Sequence, residues 1–230
     1  MVHEHGHTIW SCGYKYESPY YKGVVSVSTN AGSNWTRHEL YSGSGYGYVR
    51  AIAVDPVDEN RVFCMGYQNS TYTLYYTDNG GTTWNSNPAS GYSGTPYGLA
   101  VCPANGNQLA AASSSGLYSS SNAGATWTKL TSAFGSANDL IQSTLLNGLL
   151  IATSTDGVWL WENWTGSPVQ VGSDLGYSNI ECLAESYDYI YAGTAGCAVW
   201  RSHNNTDIGE QSSDPQVNLS LSITPNPING

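Results

Sequence analysis

The chain has 230 residues, of which only seven are Lys or Arg against seventeen Asp or Glu, and its net charge is −10. Nucleic acids and anionic membrane surfaces are bound through basic patches, so this charge balance argues against both as partners. The sequence contains no run of eighteen apolar residues, and we therefore expect no membrane insertion. The length is sufficient for one sizeable hydrophobic core.

The N-terminal segment MVHEHGHTIW has no basic start and no apolar core, so it does not indicate a signal peptide. The chain is therefore expected to be a mature product or a fragment. His3, His5 and His7 alternate, which would place three imidazoles on one side of an extended strand. Such a trio suits Zn²⁺, Cu²⁺ or Ni²⁺, but at a chain terminus without supporting residues an incidental arrangement is favoured. We expect no metal and no cofactor, with these histidines as weak candidates.

One short pattern, Ser/Thr-x-Asn-x-Gly-x-Thr/Asn-Trp, occurs three times, with its tryptophans 49 and 43 residues apart. Asn folds its side chain back onto the backbone and Gly supplies a positive φ, so each copy predicts a hairpin turn between two strands. The tryptophan starts the return strand, and we expect its indole to pack under the turn, between neighbouring units. The predicted structural positions are Ser28, Asn30, Gly32 and Trp35; Thr77, Asn79, Gly81 and Trp84; and Ser120, Asn122, Gly124 and Trp127.

Short apolar runs follow the same period outside these boxes. The second unit contains VRAIAVDP, RVFCMGY and TLYYTDNGGTTW, and the equivalent positions Leu117, Val158 and Val199 in later units are 41 residues apart. Runs of β-branched and aromatic residues between Gly, Ser and Asn clusters indicate strands, and no window has helical spacing. Four short strands in each unit of about 45 residues predict an all-β fold, a β-propeller of about five four-stranded blades.

The ends of this predicted array are irregular. Unit one lacks a convincing first strand, and the fourth strand of unit five is unclear. The C-terminal VNLSLSI alternates apolar and polar residues, so it could close the ring or pair with another chain; closure is favoured because it protects sheet edges. The predicted blades are residues 1–40, 41–88, 89–131, 132–172 and 173–206, followed by a linker, strand and tail at 207–230.

The repeated box resembles the Asp-box, or bacterial neuraminidase repeat, of sialidases, xyloglucan-cleaving hydrolases, sortilin-type receptors and photosystem assembly factors. The resemblance extends from about Ile9 to about His203, with Asn in place of the family's Asp in all three boxes. Later copies are eroded to ENWTG and SHNNTDIG. The resemblance implies a propeller, but this architecture hosts unrelated activities and leaves the function open.

The C-terminal VNLSLSITPNPING resembles the start of the sorting domains on proteins exported by type IX secretion, with Thr224 at the position usually held by Tyr. This resemblance implies export to the surface of a bacterium related to the Bacteroidetes. The alternative is an ordinary turn at Pro225 and Pro227. A polar, lysine-poor, aromatic-rich composition is also common outside cells, so we expect a secreted or cell-surface protein.

The five cysteines are scattered without a CxxC motif, and four lie in predicted strands, where a buried thiol behaves as a small apolar residue. A bridge between Cys182 and Cys197 is the alternative, and the odd count leaves at least one cysteine unpaired.

Few residues suit catalysis. The sialidases that this chain resembles need three arginines that converge on a carboxylate. This chain has four arginines in all, and Arg37 follows a box on a predicted outer strand, so a convergent trio is not expected. The xyloglucan enzymes use a cleft between two propellers, and only one propeller fits in this length. A glycoside hydrolase needs two carboxyls about 5 to 9.5 Å apart, and it remains an alternative. The candidate carboxyls are Asp55, Asp139, Asp156 and Asp188.

Tyrosine-rich stretches between the predicted strands favour a binding function. YKYESPYY, YSGSGYGY and NPASGYSGTPY combine rigid aromatic contacts with adaptable Ser and Gly. Aromatic faces also stack on sugar rings, so we predict a non-catalytic extracellular module that binds glycans or proteins. A self-assembling surface or filament subunit that uses its C-terminal strand is the alternative. The candidate binding residues are Tyr20, Tyr21, Tyr46, Tyr48, Tyr92 and Tyr97.

Overall fold

The computed structural model describes residues 2–5, 8–41, 45–171, 178–195 and 199–203, and their regular elements are all β-strands. The chain divides into two compact units, residues 1–130 and residues 131–230. Within the described ranges, no helix is long and apolar enough to cross a membrane. The predicted C-terminal strand and sorting-domain-like tail, residues 207–230, lie outside the described residues.

Unit one begins with an antiparallel four-stranded sheet in simple sequential order. Its strands are β1 (Val2–His5), β2 (Thr8–Glu17), β3 (Tyr20–Ser28) and β4 (Thr36–Glu39). The prediction that this unit lacks a first strand is wrong, because β1 pairs with β2 and places His3 opposite Trp10. A four-residue strand carrying polar side chains has too little alternation to be recognised in the sequence.

Two further antiparallel sheets of four strands complete unit one. The second sheet is β5 (Gly47–Val54), β6 (Val62–Gln68), β7 (Thr71–Thr77) and β8 (Asn85–Pro88). The third sheet is β9 (Pro96–Cys102), β10 (Asn105–Ser113), β11 (Gly116–Ser120) and β12 (Thr128–Lys129). The middle strands are buried on both faces, and Phe63, Met65, Leu74 and Leu109 are wholly inaccessible to solvent.

Unit two contains a four-stranded sheet and, within its described residues, a three-stranded sheet. The first is β13 (Ala137–Ser143), β14 (Gly148–Thr153), β15 (Val158–Glu162) and β16 (Val169–Val171). The second is β17 (Ile180–Glu185), β18 (Tyr189–Thr194) and β19 (Val199–His203). Leu150, Leu160 and Ile180 pack between the two sheets in a core of their own.

Each repeated box is a hairpin turn built from the same side-chain hydrogen bonds. In the third box the Ser120 hydroxyl accepts a hydrogen bond from Gly124 N at 2.9 Å and donates one to Asn122 Oδ1 at 2.9 Å. Asn122 Oδ1 also accepts from Thr126 N at 3.0 Å. Equivalent bonds occur in the first and second boxes. The acceptor in each box is the side-chain oxygen of Asn. Asp carries an equivalent oxygen, which explains why Asn can stand at this position in place of Asp.

The box tryptophans differ in burial, contrary to the expectation that all three pack between units. Trp127 is 4% exposed and Trp84 is half-buried, whereas Trp35 is 47% exposed. The second and third boxes lie against the preceding sheet: a Cβ at Gly81 would be 3.0 Å from Trp10, and one at Gly124 would be 2.0 Å from Leu74. The first box has no preceding sheet within its unit, so Trp35 remains at the surface.

The cysteines with described surroundings are free thiols. Cys64 and Cys102 are buried in strands, and burial raises the pKa of Cys64 well above its ordinary value. Cys182 is free and exposed, so the structure contains no bridge from it, while Cys197 lies outside the described residues.

Candidate functional site: a tyrosine-lined cleft

A cleft of about 300 Å³ opens on unit one where side chains of the first and second sheets meet. Five of its six lining residues are tyrosines and the sixth is an arginine. Four different strands and the segment before β5 supply them, so the cleft depends on contact between sheets. The lining residues are Tyr14, Tyr21, Tyr46, Tyr48, Arg50 and Tyr67.

Local backbone geometry brings these strands together. In the β2–β3 hairpin, Tyr14 lies opposite Gly23 and Tyr16 opposite Tyr21. A Cβ on Gly23 would lie 3.1 Å from the Val49 side chain and 3.5 Å from the Tyr48 carbonyl carbon. The missing side chain therefore lets β3 approach β5 closely, which places the tyrosines of the hairpin beside those of the second sheet.

The cleft tyrosines contact one another while keeping exposed surface. The ring centroids of Tyr14 and Tyr21 are 5.2 Å apart at 87°, and those of Tyr21 and Tyr46 are 5.9 Å apart. Tyr48 and Tyr67 stack with centroids 5.5 Å apart and planes at 15°. Tyr14 is 61% exposed, Tyr46 55% and Tyr21 39%. Mutual packing restricts the rings before a ligand arrives, which reduces the entropy lost on binding.

Arg50 lies exposed at the cleft with its guanidinium carbon 5.2 Å from the centre of the Tyr48 ring. The pairing of β5 with β6 shifts register between Val49 and Ala51, and such a bulge re-aims the intervening side chain. Lys15, Lys22 and Arg61 each pair with carboxylates. Among the described residues, none forms an ion pair with Arg50. Its guanidinium N–H groups are therefore available to a ligand.

The electrostatics of the lining are simple. Burial raises the pKa of Tyr48, the neighbouring Tyr72 and Tyr67 add to this rise, and the charge of Arg50 opposes it. Tyr48 is consequently a neutral phenol at physiological pH. The six lining residues include no carboxylate, imidazole or thiol. The cleft thus offers aromatic faces, hydroxyl groups and one cation, and no acid–base pair.

Three of the six predicted binding tyrosines, namely Tyr21, Tyr46 and Tyr48, line the cleft. Tyr20 stands beside it with its ring centroid 5.9 Å from that of Tyr46. Tyr92 is 7% exposed in the core, so its assignment to a binding surface is wrong. Its flanking Ser and Gly made it resemble a loop tyrosine, but the rings of neighbouring strands cover it.

Tyr97 is 37% exposed but does not line the cleft. The sequence interpretation also placed the binding tyrosines in loops, whereas most of the cleft residues lie on strands. It missed Tyr14, Tyr67 and Arg50 as members of the site. Arg50 follows Tyr48 by two residues, but the register shift at this position means that regular strand alternation alone does not assign its side chain to the cleft.

The other candidate residues do not form a second site. His3 and His5 lie in β1 with side chains outside the described part, as is His7. Among the residues searched, no three His, Cys, Asp or Glu side chains are grouped to hold a metal. Asp55 Oδ1 accepts a hydrogen bond from Val57 N at 2.9 Å, and Asp139 Oδ2 accepts one from Leu183 N at 2.9 Å. Both carboxylates therefore have a structural role in holding the backbone.

No protein-family model matches this chain, and no curated protein sequence matches it. Several solved structures match it. The structure described as YCF48 bound to D1 peptide has a TM-score of 0.62 at 14% identity, over 85% of this chain and 62% of that chain. The Dos1 propeller has a TM-score of 0.62 at 10% identity, over 88% of this chain and 53% of that one.

This chain has a β-propeller fold. A glycoside hydrolase of family GH74 from Niastella koreensis also matches, with a TM-score of 0.54 at 16% identity, over 67% of this chain and 28% of that enzyme. The match thus covers less than two thirds of the length of each of these three proteins. Likeness at such identities shows the propeller fold alone, because propellers host unrelated activities.

Proposed function

We propose that this chain is a non-catalytic propeller module that works outside the cell and binds a glycan or a protein through its tyrosine cleft. The observation that carries the proposal is the convergence of five tyrosines with Arg50, which forms no ion pair with any of the described residues. Tyrosine and arginine are the residues that most often dominate binding energy in interfaces.

The cleft suits binding better than catalysis. Hydrolysis of a glycosidic bond requires two carboxyls about 5 to 9.5 Å apart, and the lining supplies none. The volume of about 300 Å³ falls at the lower end of the range for small-ligand sites. A single sugar unit, or one or two side chains of a partner, would fill it.

The proposal of a glycan or protein ligand draws support from two neighbouring structures. YCF48 was solved with a peptide bound, and the GH74 enzyme belongs to the glycoside hydrolases. The extracellular location rests on the polar, lysine-poor composition and on the resemblance of the C-terminal segment to a sorting domain. Protease digestion of intact cells of the source organism would test it, because a surface protein is degraded without lysis.

The binding proposal is tested by screening the purified chain on glycan and peptide arrays, followed by calorimetry on the best ligand. Tyr21→Ala and Tyr46→Ala should each weaken binding by about tenfold, since loss of a contacting aromatic ring costs more than about 1 kcal/mol. Tyr187→Ala is the matched control, because Tyr187 is 92% exposed in unit two. Absence of any ligand, or equal affinity of all three variants and the wild type, would refute the proposal.

A further inference from the structure

We propose that the ligand of the tyrosine cleft is an acidic saccharide whose carboxylate pairs with Arg50. This inference rests on the proposed function and names the class of ligand that the cleft selects. It concerns a site in unit one and requires no residue outside the described part of the chain.

Arg50 is placed to bind a carboxylate. A guanidinium presents a planar fork of N–H donors that matches a carboxylate, and stacking on an aromatic ring holds that plane in place. Arg50 is positioned in this way over Tyr48, at 5.2 Å, and is exposed. No described carboxylate pairs with it, although acidic residues greatly outnumber basic ones in this chain. The structure therefore leaves a prepared anion-binding group at the cleft.

The distribution of charge along the chain also favours an anionic ligand. Residues 8–50 contain four of the seven Lys and Arg residues but only two of the seventeen Asp and Glu residues. The segment that supplies every cleft residue except Tyr67 thus has more basic than acidic side chains, in a chain of net charge −10. Such a local field attracts an anionic ligand to the cleft and disfavours its binding elsewhere on the chain.

The size and chemistry of the remaining lining favour a saccharide. A cleft of about 300 Å³ lies at the lower end of the range for small-ligand sites, so it suits a single sugar ring. A sugar ring presents an apolar C–H face to an aromatic ring and hydroxyl groups at its edge. The tyrosine faces and phenol groups complement both, while the acid group reaches Arg50. An acidic saccharide therefore satisfies every part of the lining.

The experiment compares oligosaccharides of hexuronic acids with their methyl esters, which keep the ring and lose the charge. Calorimetry at low salt should detect binding of at least one acidic oligomer and show at least tenfold weaker binding of its ester. Arg50→Gln should weaken binding of the acid by at least tenfold and leave the ester within about threefold of wild type. Binding of the acid should also weaken as salt rises, because the pair is exposed.

Arg37→Gln is the matched control, because Arg37 is an exposed residue of β4 that does not line the cleft. It removes the same charge from the neighbouring sheet and should change affinity by less than about threefold, as expected for an exposed charge that salt screens. Thermal unfolding of both variants, compared with wild type, checks that each is folded.

Four outcomes would overturn the inference. Equal affinity for acid and ester, or an Arg50→Gln variant that binds the acid as well as wild type, would show that the carboxylate is not recognised. If tyrosine variants still abolished binding in that case, the proposed function would stand. Arg50-dependent binding of a hexaglutamate peptide without any saccharide binding would replace the saccharide by a protein ligand. Failure of every probe and array ligand would overturn both proposals.

Discussion

Asp139 Oδ2 accepts a hydrogen bond from the backbone N–H of Leu183 at 2.9 Å, joining the first strands of the two sheets in unit two. Its other carboxylate oxygen accepts from Leu140 N at 2.8 Å. One partly buried side chain of β13 therefore satisfies an N–H of its own strand and one of β17. Loss of such an acceptor leaves buried donors unsatisfied, which costs about 1 to 3 kcal/mol each.

Side chains near Asp139 form further hydrogen bonds between the same two strands. Asn138 Nδ2 donates to the Ile180 carbonyl at 2.8 Å. Glu185 of β17 accepts from Thr144 N at 2.8 Å and is also bonded to the Ser143 hydroxyl. These bonds explain why polar side chains stand near both ends of β13 and at the end of β17.

The first prediction concerns the pH dependence that Asp139 imparts. Burial raises its pKa above the ordinary value of 3.8, while the bonds from Leu183 and Leu140 oppose the rise. The folded state therefore holds the proton more tightly than the unfolded state, so this contribution to stability is full below pH 3.8 and is lost as pH rises through the folded pKa. Urea unfolding of wild type and Asp139→Asn, across pH 3 to about 7, measures it.

The stability advantage of the wild type over Asp139→Asn should shrink as pH rises, since the variant has no proton to lose at this position. Asn also keeps only one acceptor for the two N–H donors, which adds a pH-independent loss. An advantage that grows with pH would show that the hydrogen bonds outweigh burial and that the direction of the pKa shift is wrong.

The second prediction contrasts two tryptophans at equivalent positions of the box. Trp127 is 4% exposed and donates from Nε1 to Gly124 O at 2.9 Å, so Trp127→Ala should lower the free energy of unfolding by about 3 to 5 kcal/mol through cavity formation. Trp35 makes the same bond to Gly32 O at 3.1 Å but is 47% exposed, so Trp35→Ala should cost less than about 2 kcal/mol. Urea denaturation measures both, and equal losses would contradict the packing described here.

The third prediction separates backbone strain from packing. Gly32 and Gly124 have φ of +86° and +80°, so alanine is strained at either position. At Gly32 the nearest atom to a new Cβ is 3.8 Å away, whereas at Gly124 it is the Leu74 side chain at 2.0 Å. Gly32→Ala should cost about 1 to 2 kcal/mol, and Gly124→Ala about 1 to 3 kcal/mol more. If Gly124→Ala lost no more stability than Gly32→Ala, the Leu74 side chain would have to move aside without cost, which contradicts this prediction.

The all-β fold and the box turns could be predicted because they depend on short-range chemistry. Ser120, Asn122 and Gly124 bond within five residues of one another, so the pattern itself specifies the turn. The exposure of Trp35 could not be predicted in this way, because it depends on whether a sheet precedes the box. The first repeat of an array is atypical for this reason.

The cleft could be predicted only in part. The abundance of tyrosine in the sequence indicated Tyr21 and Tyr48 as binding residues. Their side chains lie in one cleft because β3 approaches β5 closely at Gly23, and this contact joins residues that are distant in sequence. Tyr92 has similar neighbours in sequence and is buried, since its surroundings come from other strands. Residue type therefore indicated the chemistry of the site, and tertiary packing decided its members.

A tyrosine-nitration footprint with and without the best ligand from the arrays tests directly whether the tyrosine cleft is the binding surface. Peptide mass spectrometry would quantify nitration at Tyr14, Tyr21 and Tyr46, with Tyr187 as the exposed reference outside the cleft. We expect saturating ligand to slow nitration of the three cleft tyrosines and to leave the rate at Tyr187 unchanged. Unchanged rates at all three cleft tyrosines under saturating ligand would contradict it.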